Sequence, residues 1–174
     1  ALSYEKEMLK EKSAKDSPEQ QVAKYEEGSA EVADETVKYI TTKKPFLALA
    51  YFGAVDIAGH KLGHDTPGYY ASLTRMDANV GKVLAALKTA GIEKDTLVLL
   101  ISDHGGFGKK HGGTYRPEVI QTPWIIAGPG VKRGYTIKAP VVHTDTAATI
   151  AHALGLTAPQ CWRGRPALEV FETR

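Results

Sequence analysis

The sequence predicts an α/β fold in which a mostly parallel sheet is covered by helices on both faces. Two observations predict this class. Short, continuously apolar runs at 46–52, 96–101 and 123–127 are typical of buried strands. Segments with helical spacing of apolar residues alternate with these runs, an order typical of parallel strands joined by crossover helices.

The predicted elements follow one another along the chain, each bounded by residues that favour turns or helix ends. The first is a charged helix after Pro18, within a charged helical segment predicted over 1–44. The others are a strand at 46–52, a polar glycine-rich loop at 53–68, an amphipathic helix at 69–87, a strand at 96–101, a second glycine-rich loop at 104–117, a strand at 123–127 and a helix from Asp145, its expected N-cap, to Leu154.

Composition and charge exclude several classes of function. Of the 174 residues, 24% are charged and 43% are hydrophobic, and the formal net charge is +2. This near-neutral balance gives no reason to expect nucleic acid as a partner. No apolar run approaches the ~18–20 residues needed to span a membrane. Cys161, the single cysteine, cannot form an internal disulfide.

Carboxylates and imidazoles follow two of the predicted strands where each strand ends. Asp56 and His60 follow the first strand, whereas Asp103 and His104 follow the second, with His111 later in the same loop. Because the carboxyl ends of parallel strands meet at one edge of a sheet, these side chains are expected on the same rim. Oxygen and imidazole ligands together favour zinc or a similar transition metal, since calcium and magnesium sites use oxygens alone.

Each motif alone has an ordinary structural explanation. A D-x-x-x-H spacing arises by chance, a strand often ends in a capping carboxylate, and glycines serve turn geometry. The placement of all the clusters at equivalent strand ends favours the metal hypothesis. A nucleotide-binding G-x-x-x-x-G-K-[ST] motif and a G-x-S-x-G nucleophile elbow are both absent from the sequence, which excludes a P-loop and a Ser-His-Asp hydrolase.

As a set, these motifs resemble the C-terminal half of the alkaline phosphatase superfamily, and most of all its type I phosphodiesterase/nucleotide pyrophosphatase branch. The resemblance covers roughly residues 45–170 and includes the segments 126–131 and 144–155. It implies that residues 45–174 form the metal-site half of an alkaline phosphatase-like domain.

The resemblance also implies two divalent metal ions, zinc above all. Asp56, His60 and His111 would hold the first ion, and Asp103 and His104 would hold the second. The implied reaction is hydrolysis of phosphate esters, with phosphodiester or pyrophosphate bonds preferred, in which a Thr or Ser hydroxyl attacks phosphorus. The implied partner is a small phosphorylated substrate, with a nucleotide-like molecule among the possibilities.

The chain departs from the family pattern upstream of these motifs. The family nucleophile and one further aspartate ligand precede the D-x-x-x-H motif on strand ends. Upstream of Phe46 the sequence predicts only charged helix, in which Asp16 and Asp34 follow no strand. The expectation is therefore a fold incomplete on its N-terminal side, and a chain that is inactive alone although its parent protein is an enzyme.

Several alternatives stay open at this point. Within the superfamily they are a phosphomonoesterase, a phosphomutase and a sulfatase. The sulfatase is disfavoured because sulfatases hold calcium mainly through oxygens, whereas His60 and His111 offer nitrogen. A non-catalytic metal-binding domain is the alternative from another class. The resemblance implies a periplasmic or extracellular location, and the sequence leaves the oligomeric state open.

The other polar residues near the motifs are expected to have structural roles. His143 competes with His111 as a ligand, and the glycine pair after His111 favours His111. The remaining expectations are a supporting position near the site for His143, an exposed loop position for His64, packing or capping for His152, surface exposure for Lys109 and Lys110, and structural or capping roles for Asp77 and Asp145.

Overall fold

The structure, a computed structural model, describes residues 16–113 and 115–172, which group into two compact units. The first unit comprises the described residues up to Glu93 together with His104–Gln121, and the second comprises Lys94–Asp103 together with the described residues from Thr122 onward. The part of the predicted charged segment before residue 16 lies outside the described residues.

Helices dominate the first unit and a small sheet lies in the second, so the predicted α/β class is confirmed. The elements are α1 (Pro18–Lys43), α2 (Ala54–Leu62), α3 (Pro67–Thr89), β1 (Val98–Ile101), α4 (Pro117–Ile120), β2 (Trp124–Ala127) and α5 (His143–Ala153), with 3₁₀ turns at Glu93–Asp95 and Leu168–Val170. No helix in the described ranges is long and apolar enough to cross a membrane.

Helix α1 begins and ends with local signals that its sequence carries. Ser17 Oγ accepts a hydrogen bond from the Gln20 amide at 3.3 Å, and Gln20 Oε1 accepts one from the Ser17 amide at 2.8 Å. This reciprocal pair is a capping box, and Pro18 follows it at the first helical position. Lys44 adopts a left-handed conformation at the other end, with φ of 45°. The helix predicted after Pro18 is therefore confirmed.

The contact between α1 and α3 is formed by small and polar side chains. On α1, Ser29 is 1% exposed and Ala33 is fully buried, and Ser72 and Asn79 are the buried counterparts on α3. Small side chains let the two helix backbones approach closely. The apolar face predicted for α3 is only partly correct, because Leu73 of that face is 44% exposed.

Ion pairs flank this helix contact. Arg75 Nη1 lies 3.1 Å from Glu26 Oε1, and Lys82 Nζ lies 3.0 Å from Asp34 Oδ1. Each pair is partly or fully solvent-exposed, so it contributes at most about 1 kcal/mol. Much of the stability of this contact therefore comes from burial, and the pairs account for part of the charge on α1.

The described sheet has two antiparallel strands, β1 and β2, in the register Val98↔Ala127 to Ile101↔Trp124. The sequence predicts a mostly parallel sheet, and this pair departs from that pattern. A parallel connection needs a crossover that carries the chain back along the strand, usually through a long helix. Among its described residues, the connection between β1 and β2 contains one helix, α4, which at four residues spans about 6 Å.

The apolar run at 46–52 was expected to form a buried strand, and this prediction is also wrong within the described residues. These residues belong to no strand, and Phe46 is 78% and Leu49 is 91% exposed. A buried strand needs hydrogen-bonding neighbours on both edges and cover on both faces. The described part of the first unit supplies helices and no strand to this segment.

In the second unit, two carboxylates organise the segments around the sheet. The Glu169 carboxylate accepts hydrogen bonds from Tyr135 Oη at 2.7 Å, from the Ala139 amide at 2.9 Å and from the Lys138 amide at 3.1 Å. These bonds, the tyrosine hydroxyl first, lower the pKa of Glu169. Asp145 was predicted to be the N-cap of α5, but Val142 holds that position and the helix begins at His143. Asp145 lies at the third helical residue, from which its carboxylate accepts a hydrogen bond from the Val142 amide at 3.0 Å.

Enlarging a buried side chain of α1 tests the packing. Ala33→Leu is expected to lower the free energy of unfolding by about 1–3 kcal/mol, because Ala33 is fully buried and the added atoms must displace its neighbours. Urea denaturation measures the change. Ala23→Leu, on the exposed face of the same helix, is the matched control and should be nearly neutral. Equal losses in both variants would contradict the packing account.

The contribution of Glu169 to stability should depend on pH. Because the pKa of the folded carboxyl is lowered, ionised Glu169 stabilises the fold above the ordinary carboxyl pKa, and this stabilisation is lost as pH falls through the lowered value. Glu169→Gln should therefore lower the melting temperature most at neutral pH, with the difference shrinking in acid. Glu172→Gln, an exposed neighbour, is the control. A difference that stays constant with pH would contradict this role.

Candidate metal centre

Asp56 and His60 lie on a helix, although a loop was predicted at 53–68. Helix α2 spans Ala54–Leu62 and ends at Gly63, whose φ is 101°. Residues four apart share one face of a helix, so the D-x-x-x-H spacing presents both side chains on the same side of α2. The loop prediction failed because the glycines around the motif outweighed the helix-compatible run Ala-Val-Asp-Ile-Ala.

Three imidazoles surround one oxygen of Asp56. The distance from Asp56 Oδ1 to Nε2 is 3.5 Å for His60, 3.9 Å for His104 and 3.9 Å for His111. The ring of His104 stacks on that of His111, with the centroids 3.8 Å apart. Ligand atoms of Asp56, His60 and His111 all lie within 4.8 Å of one another. The structure therefore brings together four of the five predicted ligands.

Main-chain carbonyls fix which nitrogen of two rings carries the proton. His60 Nδ1 lies 2.9 Å from the Lys109 carbonyl oxygen, and His104 Nδ1 lies 3.0 Å from the Gly105 carbonyl oxygen. A carbonyl only accepts, so each Nδ1 carries the hydrogen and donates it. In the neutral ring, Nε2 then presents a lone pair to Asp56, and this is the usual arrangement of a metal-binding histidine.

Asp56 Oδ1 is buried and lacks a hydrogen-bond partner among the described residues. A buried carboxylate oxygen without a partner is costly, and facing it with nitrogen lone pairs adds repulsion. A cation among these atoms would turn each repulsive contact into an attractive one. The residues therefore fit a divalent metal ion, for which they offer one carboxylate and at least two imidazoles.

The loop that carries His104 and His111 is fastened at both ends. At one end the Gly105 amide donates to the Val119 carbonyl of α4 at 2.8 Å. Near the other end Lys109 Nζ donates to the Lys61 carbonyl of α2 at 2.8 Å. Lys109 is exposed as predicted, but it also ties the loop to the helix that carries Asp56.

The remaining predicted residues have the following positions. Asp103 belongs to the second unit, and its role as a ligand stays a prediction. His143 begins α5, where its Nε2 donates to the Ser102 carbonyl at 2.9 Å, in keeping with a structural role. His152 packs near Phe171, with the ring centroids 5.3 Å apart. His64 was expected to be exposed and is instead half-buried.

Comparison with known proteins identifies the family. The family model described as Sulfatase matches residues 5–156. The chain belongs to the sulfatase family. It is therefore a member of the alkaline phosphatase superfamily, as the motifs indicated, but the nucleotide pyrophosphatase branch is not supported. The histidine ligands disfavoured a sulfatase, and this expectation was wrong because donor atoms indicate which metal a site prefers and do not identify a family.

Individual relatives carry sulfatase names. Arylsulfatase K of Danio rerio is 35% identical over 92 residues, which are 51% of this chain and 18% of that protein. The steryl-sulfatase of Rattus norvegicus is 33% identical over 128 residues, 63% of this chain and 22% of that protein. The choline-sulfatase of Rhizobium meliloti (strain 1021) is 26% identical over 106 residues, which are 59% of this chain and 20% of that protein. The match spans about a fifth of these relatives.

Metal binding should raise the thermal stability of the protein. If the site holds a divalent ion, saturation at about 100 times the dissociation constant adds about 2.7 kcal/mol to the free energy of unfolding. Differential scanning calorimetry with Zn²⁺, and then with chelator, measures this gain. His111→Ala should abolish it, whereas His152→Ala, an exposed histidine of α5, should retain it. An equal gain in both variants would place the metal elsewhere.

Proposed function

We propose that the protein hydrolyses sulfate esters, with a divalent metal ion held by Asp56, His60 and His111. One observation carries the proposal: the buried Asp56 Oδ1 faces imidazole nitrogens without a hydrogen bond, in a chain of the sulfatase family. The names arylsulfatase, steryl-sulfatase and choline-sulfatase share the sulfate ester and differ in the alcohol, so they support the reaction and leave the alcohol open.

Zinc is the ion that we propose for this site. Two imidazole nitrogens and a carboxylate oxygen are a ligand set that zinc and similar transition metals favour, whereas calcium prefers oxygens alone. A second ion, with Asp103 and His104 as ligands, remains part of the proposal. A bound divalent ion supplies Lewis-acid stabilisation of the negative charge that develops on the oxygens of the reacting ester.

The residues of this chain prepare the site for that chemistry. Asp56 provides the negative charge that offsets part of the charge of the cation. The Lys109 carbonyl holds His60 with Nε2 directed at the site, and the Gly105 carbonyl does the same for His104. The nucleophile is proposed to come from outside the matched motifs, as the family resemblance implies. The small phosphorylated substrate that the resemblance implied becomes a small sulfate ester in this proposal, and a periplasmic or extracellular location remains a prediction.

Hydrolysis of phosphate esters is the second candidate function. The observation that favours it is the imidazole-rich site, because three histidine nitrogens lie within 3.9 Å of the Asp56 carboxylate oxygen. Such a site also suits a phosphate ester, because a bound cation would neutralise charge on the non-bridging phosphoryl oxygens, of which a phosphate monoester carries more than a sulfate monoester. Substrate class therefore decides between the two candidates.

Paired assays test the proposal on the protein expressed from its complete coding sequence. The substrates are 4-nitrophenyl sulfate, 4-nitrophenyl phosphate and bis(4-nitrophenyl) phosphate. The sulfate should have the highest kcat/KM. His111→Ala should lower that value by about 100-fold or more, because replacing residues that only support metal ligands already lowers activity about 10–100-fold. His152→Ala is the control and should leave kcat/KM unchanged.

Two outcomes would contradict the sulfatase proposal. Turnover of a phosphate ester with little turnover of the sulfate would establish the second candidate instead. Sulfate turnover that survives His111→Ala and exhaustive chelation would separate the activity from this metal site.

A further inference from the structure

We propose that His64 is a positioning residue that fixes the loop 104–111 on helix α2 and thereby sets the metal site. The inference rests on the proposed metal site and goes beyond it, since His64 itself is not among the proposed ligands. It concerns how the two halves of the site, one on a helix and one on a loop, are held at a fixed separation.

Two hydrogen bonds from His64 converge on one carbonyl of the loop. The backbone amide of His64 donates to Gly108 O at 2.7 Å, and Nδ1 of its ring lies 3.0 Å from the same oxygen. Since the carbonyl only accepts, Nδ1 carries the hydrogen. A carbonyl oxygen has two lone pairs, and His64 uses both, so Gly108 is held firmly against the end of α2.

The ring of His64 also occupies space that two glycines leave open. A Cβ at Gly59 or at Gly106 would overlap the Nε2, Cε1 and Cδ2 atoms of the ring. Gly59 lies inside α2, where glycine is unfavourable compared with alanine. Room for the His64 ring supplies a physical reason for glycine at both positions.

The position of Gly108 matters for the ligands because its neighbour completes the site. The carbonyl of Lys109 accepts from His60 Nδ1, and His111 follows two residues later. A shift of Gly108 would move this carbonyl away from His60 and move the His111 ring away from Asp56. His64 therefore acts on the metal through the loop, and its own Nε2 faces the two glycines.

Metal titration of His64 variants tests the proposal. Isothermal titration with Co²⁺ and Zn²⁺, and the visible absorption of the Co²⁺ form, report affinity and coordination without any need for turnover. His64→Ala should weaken binding by about 10–100-fold, as expected for a residue behind the ligands. His64→Asn should recover much of this loss, because its Nδ2 can donate from the place of Nδ1. Wild-type affinity in His64→Ala would overturn the proposal.

A double-mutant cycle tests the contact between the ring and the glycine. Gly59→Ala should weaken metal binding in the wild-type protein, because the new methyl displaces the ring, although alanine favours the helix. In the His64→Ala background the same change should have no further effect. Gly81→Ala on α3, where a Cβ meets no atom within 4 Å, is the matched control. Additive losses of metal affinity would contradict the proposed contact between the His64 ring and Gly59.

Hydrogen exchange in chelator separates this inference from the proposed function. The Phe107 and Lys110 amides bond to each other's carbonyls, and the Gly105 amide bonds to Val119. These amides should exchange at least about tenfold faster in His64→Ala than in the wild type, since the loop opens more often. Unchanged exchange would overturn the positioning role even if metal binds. If the wild-type protein binds no metal but exchange is still faster in His64→Ala, the metal site would be contradicted and the positioning role of His64 would stand.

Discussion

The site depends on the electrostatic environment of one carboxylate oxygen. Asp56 Oδ1 is buried, has no hydrogen-bond partner among the described residues, and has histidine Nε2 atoms at 3.5–3.9 Å. Backbone carbonyls accept from Nδ1 of His60 and His104, so in the neutral rings the Nε2 lone pairs face the Asp56 carboxylate. Folding alone gains little from such an arrangement, whereas a cation makes every contact favourable. The packing of α2 and the fastening of the loop serve to hold these atoms in place.

The sequence predicted those elements whose signals are local. The helix after Pro18, the helix starting near Tyr69 and the strands around Leu99 and Ile125 were all found within a few residues, because capping residues and apolar spacing act over one or two turns. The antiparallel direction of β1 and β2 and the exposure of the apolar run at 46–52 were not predicted. These properties depend on which segments lie side by side, and the apolar run at 46–52 has no strand beside it in the described residues. The burial of Ser72 in place of Leu73 likewise depends on the small residues of α1.

The proximity of Asp56, His60 and His111 was predicted more accurately than the backbone that carries them. Asp56 and His60 were expected on a loop and lie on a helix, yet four residues is the spacing that a helix converts into one shared face. The role of His64 was underestimated, because only the fold brings Gly59 and Gly106 against its ring. The family was misjudged at the level of the branch, since ligand chemistry is shared across the superfamily. The matched region belongs to a sulfatase-family chain whose candidate metal ligands include more nitrogen than calcium prefers.

Anomalous X-ray diffraction from crystals grown with Zn²⁺, recorded above and below the zinc absorption edge, tests the central claim most directly. The account predicts a zinc peak at about 2.0–2.2 Å from a carboxylate oxygen of Asp56 and from Nε2 of His60 and His111, the bond lengths usual for zinc. Binding would draw these atoms together from their present separations of up to 4.8 Å. A zinc peak held elsewhere, or no peak at this cluster at saturating Zn²⁺, would contradict the account.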